Sequence, residues 1–209
     1  MRGPIVRLVA LLAFAIAALP ATAGDYRSSF GFGISVPDSY LVLTRDEVRK
    51  HADLFLEAEG QSRFEAIPRS MREAVYERVT RGQLEIFYRT EDVDFAFVDN
   101  VNVMRQRAAL PRDESQLREV CRLLPGEFSR MFGRPIGLDG CEMRSVAGRR
   151  ALYLSFDGAM PGTKTLQYQI EQDRGDMLVL TATATNASVA RMLGEFEGMV
   201  ASIRVLSAR

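Results

Sequence analysis

The sequence predicts an α+β domain built on an antiparallel sheet of about six to eight strands flanked by helices. Three observations carry that expectation. Short apolar runs alternate with a period of two and come in pairs joined by turn residues. Between the pairs lie longer segments with apolar residues at helical spacing, opened by capping residues. No fixed-period repeat, low-complexity tract or interdomain linker interrupts the chain, so residues 24–209 read as one domain.

Residues 1–23, MRGPIVRLVALLAFAIAALPATA, carry Arg2 and Arg7, an apolar run over 8–19 and the small-residue signature Ala21-Thr22-Ala23. That pattern is a secretory signal peptide. Its apolar core is shorter than the roughly 20 residues that span a bilayer, and a cleavage site follows directly. No cysteine follows for a lipid anchor, and the paired arginines of a twin-arginine signal are missing. The expectation is export, to the periplasm or beyond the cell, with the mature chain starting at Gly24 and no membrane anchor after cleavage.

Strands over 30–36 and 40–43 flank Pro37-Asp38, a turn signal. Helix starts with capping-box chemistry follow at Thr44-Arg45-Asp46-Glu47, Ser70-Met71-Arg72-Glu73 and Asp113-Glu114-Ser115-Gln116. The first leads into Val48, Ala52 and Phe55, ending at Gly60; the second leads into Met71, Ala74, Val75 and Val79, ending near Gly82. The third opens the stripe Leu117, Val120, Cys121, Leu124, Phe128 and Met131, in which Pro125-Gly126 predicts a kink or break. Strands are expected over 83–89, 95–105, 142–146, 150–156, 165–172 and 177–184, with Asp173 to Asp176 as a hairpin link. In the 164–172 run, Leu166, Tyr168 and Ile170 share one face and Thr165, Gln167, Gln169 and Glu171 the other. A last helix, capped by Asn186, carries Val189, Met192, Leu193, Phe196, Val200 and Ile203 as a core stripe.

Basic and acidic residues balance at 27 each, and losing Arg2 and Arg7 leaves the mature chain slightly acidic. With arginines scattered and no basic stripe, no nucleic-acid partner is expected. Cys121 and Cys141 are the two cysteines. Export permits a disulfide between them, and closing a loop of about 20 residues contributes on the order of 3 kcal/mol. The alternative is two independent buried thiols, because Cys121 falls on an apolar stripe.

The lone histidine, His51, sits in a charged helical run and reads as a solvated side chain, so neither a Ser-His-acid triad nor a metal site is expected. GAMPGTKT, residues 158–165, has the wrong glycine spacing for a phosphate loop and reads as a connection between strands. Glu91, Asp92, Asp94 and Asp99 lack the calcium-loop spacing and read as a charged turn. No catalytic residue and no cofactor is assigned.

Asn100 and Asn102, in FVDNVNVMRQ, stand on one face of a strand with Met104, and Arg105 follows. These four are the candidate binding residues. The amides either hold register by bonding to neighbouring backbone or line a cleft between sheet and helices.

Three segments, FGFGISVPDSYLVL, FVDNVNVMRQ and YQIEQDRGDMLVLTATATNASVARMLGEFEGMVASIRV, together with the order of elements, resemble the PsbP-like family. That family is an α/β/α sandwich that includes small bacterial exported proteins and a nuclear-transport adaptor. The chain departs from it in a helical insertion at about 45–82. The resemblance implies a non-catalytic binding or assembly module that docks on a protein partner in the envelope. A carrier of a small apolar molecule or lipid, and a carboxylate-based hydrolase, are the alternatives.

Overall fold

The computed structural model describes residues 24–43, 45–50, 52, 69–91 and 97–206. The leader, Thr44, His51, Phe55, Gly60, Asp92 and Asp94 lie outside the described residues. Along the chain run β1 (Gly24–Arg27), β2 (Phe32–Val36), β3 (Tyr40–Leu43), α1 (Arg45–Lys50), α2 (Arg69–Thr80), β4 (Glu85–Arg89) and β5 (Asn100–Arg107). Then follow α3 (Glu114–Phe132), β6 (Leu138–Val146), β7 (Arg149–Asp157), β8 (Thr163–Glu171), β9 (Asp176–Thr185), α4 (Val189–Ala201) and β10 (Arg204–Val205).

Seven strands form one antiparallel sheet in the order β3-β4-β5-β9-β8-β7-β6, and β1-β2-β10 form a second, smaller sheet. The expected strand count and antiparallel hairpins are those of the large sheet. Its two faces are covered differently. On the first, Val101, Val103, Leu166, Tyr168, Leu178 and Leu180 pack with Phe32 and Ile34 of the small sheet and with Met192 and Phe196 of α4. Burial of a side chain such as Phe196, fully enclosed here, is worth about 1.5–3 kcal/mol.

The second face carries two separate apolar clusters. Over β3 and β4, Leu43, Ile86 and Tyr88 pack with Val48 of α1 and Val79 of α2. Over β7, Leu152, Leu154 and Phe156 pack with Leu117, Val120, Leu124 and Phe128 of α3. The result is three layers, with α4 and the small sheet on one side of the large sheet and α1, α2 and α3 on the other.

Several local expectations are corrected. The strands flanking Pro37-Asp38 are not a hairpin pair, because β2 pairs with β1 and β10 while β3 pairs with β4. Proline, with fixed φ and no N–H, here marks the place where the chain leaves one sheet for the other. Helix α3 runs unbroken through Pro125 and Gly126. Residues on both sides of Pro125 pack on the same strand surface, and that shared burial outweighs the one hydrogen bond that proline removes.

The Asp113 cap is present, its carboxylate accepting from the Gln116 N–H at 2.9 Å. Gln116 reaches back to the Arg112 N–H rather than to that of Asp113. Helix α2 begins at Arg69, so Ser70 falls inside it. The N-cap position of helix α4 is Ser188 and not Asn186, and the Ser188 side chain makes no capping hydrogen bond. Leu193 is exposed, and Met199 takes its place in the core, which narrows the stripe to one side of the helix.

Buried polar groups act as staples between layers. Glu85, 3% exposed, accepts from the Ser28 hydroxyl at 2.6 Å and from the Ser29 N–H and hydroxyl at 2.7 Å, tying the β1–β2 turn to β4. Glu195 of α4 accepts from the Tyr40 hydroxyl at 2.6 Å and pairs with Arg89 at 3.0 Å. Arg144 stacks on the Tyr153 ring at 3.6 Å from its centre and pairs with Glu197 of α4. Cys121 of α3 and Cys141 of β6 form a disulfide, so the thiols are not independent.

Candidate functional site

Strand register explains what lies between the two apolar clusters. Cross-strand partners on one face stand side by side, so pairings extend as rows across the sheet. One row reads Phe156, Thr165, Thr183, Asn100, Tyr88. The next reads Leu154, Gln167, Thr181, Asn102, Ile86. Each begins under α3 with an apolar residue and ends beside the cluster of α1 and α2 with another. The three middle positions are uncharged and polar, forming a lane of hydroxyls and amides along β8, β9 and β5.

On the α3 side this lane deepens into a cleft of about 510 Å³. Thr163, Thr165, Gln167, Gln169, Thr181 and Thr183, with the apolar Phe156 and Val179 among them, form its floor. Leu124, Phe128, Met131 and Phe132 of α3 form one wall, with Ala159 and Met160 of the β7–β8 loop at one end and Phe97, Met104 and Gln106 also lining it. No charged side chain is among these residues.

The wall is held firmly. Phe128 stacks on Phe156 of β7 at 4.4 Å between ring centres, and the disulfide fastens the preceding turns of α3 to β6. After α3, Gly133 takes a left-handed φ of 67°, and Arg134 then donates to the carbonyls of Gly158, Ala159 and Met160. The loop bearing Met160 is thereby pinned to the helix end. A Cβ on Gly158 would stand 2.1 Å from the Thr163 hydroxyl, so glycine is required for this close approach.

Floor hydrogen bonds are partly internal. The Gln169 side chain donates to the Gln167 side-chain amide oxygen at 2.8 Å, and the Gln167 side chain donates to the Thr181 hydroxyl at 3.0 Å. Thr163 donates to the Met160 carbonyl at 2.7 Å. Thr165 differs. It is 5% exposed, lines the cleft, and its hydroxyl has no hydrogen-bond partner among the described residues. At the rim, Met131 is 70% exposed and Met160 44%.

The four candidate residues read from the sequence divide. Met104 lines the cleft. Asn100 and Asn102 share its face and supply the β5 end of the lane, where the Asn100 side chain donates to the Val98 carbonyl at 3.0 Å. Arg105 lies on the opposite face and donates to the Phe30 carbonyl, holding the first loop. Thr165, Gln167, Thr181, Thr183, Met131 and Met160 were not singled out. The alternation in 164–172 and the repeated TATAT of 181–185 were the only trace of the four polar ones, while Met131 stood in the apolar stripe of the third helix and Met160 in the 158–165 connection.

Tyr88, at the far end of the first row, has its phenol pushed up to about 12 by burial. At the opposite corner, Lys164 pairs with Asp157 at 2.7 Å and Asp139 at 2.6 Å. The Lys164 hydrogen bond, then the Gly137 N–H, hold the Asp157 carboxyl below its ordinary range. Among the described residues, no cluster of three or more His, Cys, Asp or Glu could hold a metal ion. No described helix is long and apolar enough to cross a membrane.

The three-layer arrangement is the PsbP-like fold. Cyanobacterial PsbP (CyanoP) from Synechocystis superposes with a TM-score of 0.52 at 12% identity, covering 93% of this chain and 98% of its own. LpqN of Mycobacterium tuberculosis, a protein involved in cell envelope biogenesis, superposes with a TM-score of 0.51 at 13% identity, covering 91% and 88%. The Ran-binding protein Mog1p of Saccharomyces cerevisiae gives a TM-score of 0.49 at 7% identity, covering 88% and 97%. No protein-family model matches the chain, and no curated protein matches it by sequence.

Proposed function

We propose that this is an exported, non-catalytic binding module that docks on a protein partner of the cell envelope through the cleft between α3 and the polar lane. The observation that carries the reading is the cleft itself. Its α3 wall is apolar, its floor carries hydroxyls and amides beside Phe156 and Val179, and none of its described lining residues is ionisable and able to serve as acid or base. A hydrolase of the two-carboxylate type would need paired acids there. Solvent-exposed Met131 and Met160 at the rim are the kind of adaptable apolar contacts used at binding surfaces. The leader-like residues 1–23 support export, and the disulfide suits an oxidising compartment. The involvement of LpqN in envelope biogenesis fits the same setting.

A photo-reactive residue placed at Met131, and separately at Arg118 on the solvent side of α3, tests this in the protein's own host. The expected result is a covalent adduct to one polypeptide from Met131 and none from Arg118. Absence of any adduct from Met131, or the same adducts from both positions, overturns the reading. A small-molecule mass retained in native mass spectrometry, with no polypeptide adduct, replaces docking by the carrier role.

A further inference from the structure

We infer that the cleft is built for a phenol, and that its occupant is a tyrosine side chain of the partner polypeptide; this rests on the docking reading above. Four features of the cleft converge on that chemistry. The described lining residues are uncharged, so a carboxylate or ammonium among them would lose hydration with no opposite charge to compensate. Helix α3 supplies an apolar wall, and the floor sets hydroxyls and amides beside Phe156, Val179 and Met104, so a complementary ligand has an apolar body and a polar group. An acyl chain would cover the threonines and glutamines of the floor without offering them a hydrogen bond. Beside Leu124, Ala159 and Val179, the apolar groups include the thioethers and phenyl rings of Met104, Met131, Met160, Phe97 and Phe128, which pack favourably on the faces and edges of an aromatic ring.

The fourth feature is Thr165. Thr165 is 5% exposed, its hydroxyl has no partner among the described residues, and it stands in the floor where the tip of a ring would arrive. A phenolic hydroxyl supplies one donor and one acceptor at the end of a flat apolar body, which matches an unpartnered hydroxyl beneath an apolar wall. The lane continues beyond the cleft to Asn102, placing an amide where the backbone of an extended partner segment would pass. Tyrosine is also among the side chains enriched in protein interfaces for this combination of area and polar tip.

The test uses the protein as its own host processes it, isotope-labelled, with N-acetyl-tyrosinamide and N-acetyl-phenylalaninamide as probes followed by NMR. The tyrosine probe is expected to shift the amide resonances of Thr165, Thr181 and Thr183 saturably. The phenylalanine probe, which leaves Thr165 unpaired, should bind about fivefold more weakly or worse. Thr165→Val should bring the two affinities together, and Thr165→Ser should preserve the difference. Equal affinities in the unsubstituted protein overturn the phenol assignment while leaving a binding cleft. Shifts confined to other surfaces, or none at all, also overturn it. The docking reading is judged separately by cross-linking from Met131, so the two fail by different signs.

Discussion

Replacing Glu85 by alanine removes one carboxylate and strands three donors, the Ser28 hydroxyl and the Ser29 N–H and hydroxyl. The expected cost is about 3 kcal/mol, read as a fall in the urea midpoint. Thr165→Val makes the contrary case. It deletes a buried hydroxyl that bonds to no described residue, so stability should hold or rise by up to about 1 kcal/mol even as the cleft loses its polar contact. A loss of more than that in denaturation would mean that Thr165 supports the fold. The difference between these two residues was not legible in the sequence. Glu85 stands in a strand-like run, where an acid reads as outward-facing, and nothing local announces that the loop at Ser28 and Ser29 closes over it. Asn100 and Asn102 drew attention because amides are unusual in an apolar strand. Their neighbours Thr181 and Thr183 did not, since threonine is an ordinary strand residue.

At the scale of elements, α3 is the part most open to test. Pro125→Ala restores the missing N–H in a helix that is already continuous and should stabilise the protein by about 1–3 kcal/mol. A lower melting temperature would show that proline is needed there. Breaking the Cys121–Cys141 bridge by paired serine substitution should cost on the order of 3 kcal/mol and loosen the cleft wall. The strand ends meeting at Lys164 respond to acid. Because the folded Asp157 carboxyl lies below its ordinary range, its contribution is present above the unfolded pKa of about 3.9 and is lost as pH falls through the lower folded value. The gap in urea midpoint between the unsubstituted protein and Asp157→Asn should therefore be constant above about pH 5 and shrink below about pH 4. Helix positions were well signalled by capping residues and stripes, because those signals are local. Pairing was not. Pro37-Asp38 is a turn in either topology, and only packing of the distant β10 against β2 decides that the chain changes sheets there.

For the molecule as a whole, the aromatic side chains provide a readout of its integrity. The phenols of Tyr26, Tyr40, Tyr88 and Tyr168 are all raised, in each case chiefly by burial. An unfolded tyrosine ionises near pH 10, so the stability held by Tyr88 is present below that pH and is lost between about 10 and about 12. Tyrosinate absorbance should lag behind pH 10 and then rise together with loss of the far-ultraviolet circular dichroism signal. Independent ionisation at pH 10 with the fold intact would contradict the burial described. The layered class was legible from alternation and stripes. The site lay in the relation between strands β5, β8 and β9, whose register no short stretch of sequence contains. The small sheet adds a temporal constraint. Strand β2 has β1 on one side and, on the other, β10 from nearly the far end of the chain. During synthesis or translocation from the N-terminus, one edge of β2 therefore stays unpaired until residue 205 has emerged, whereas Cys121 and Cys141 come within reach of each other long before. Folding is thus ordered with covalent closure available early and the last strand acting as the final clasp.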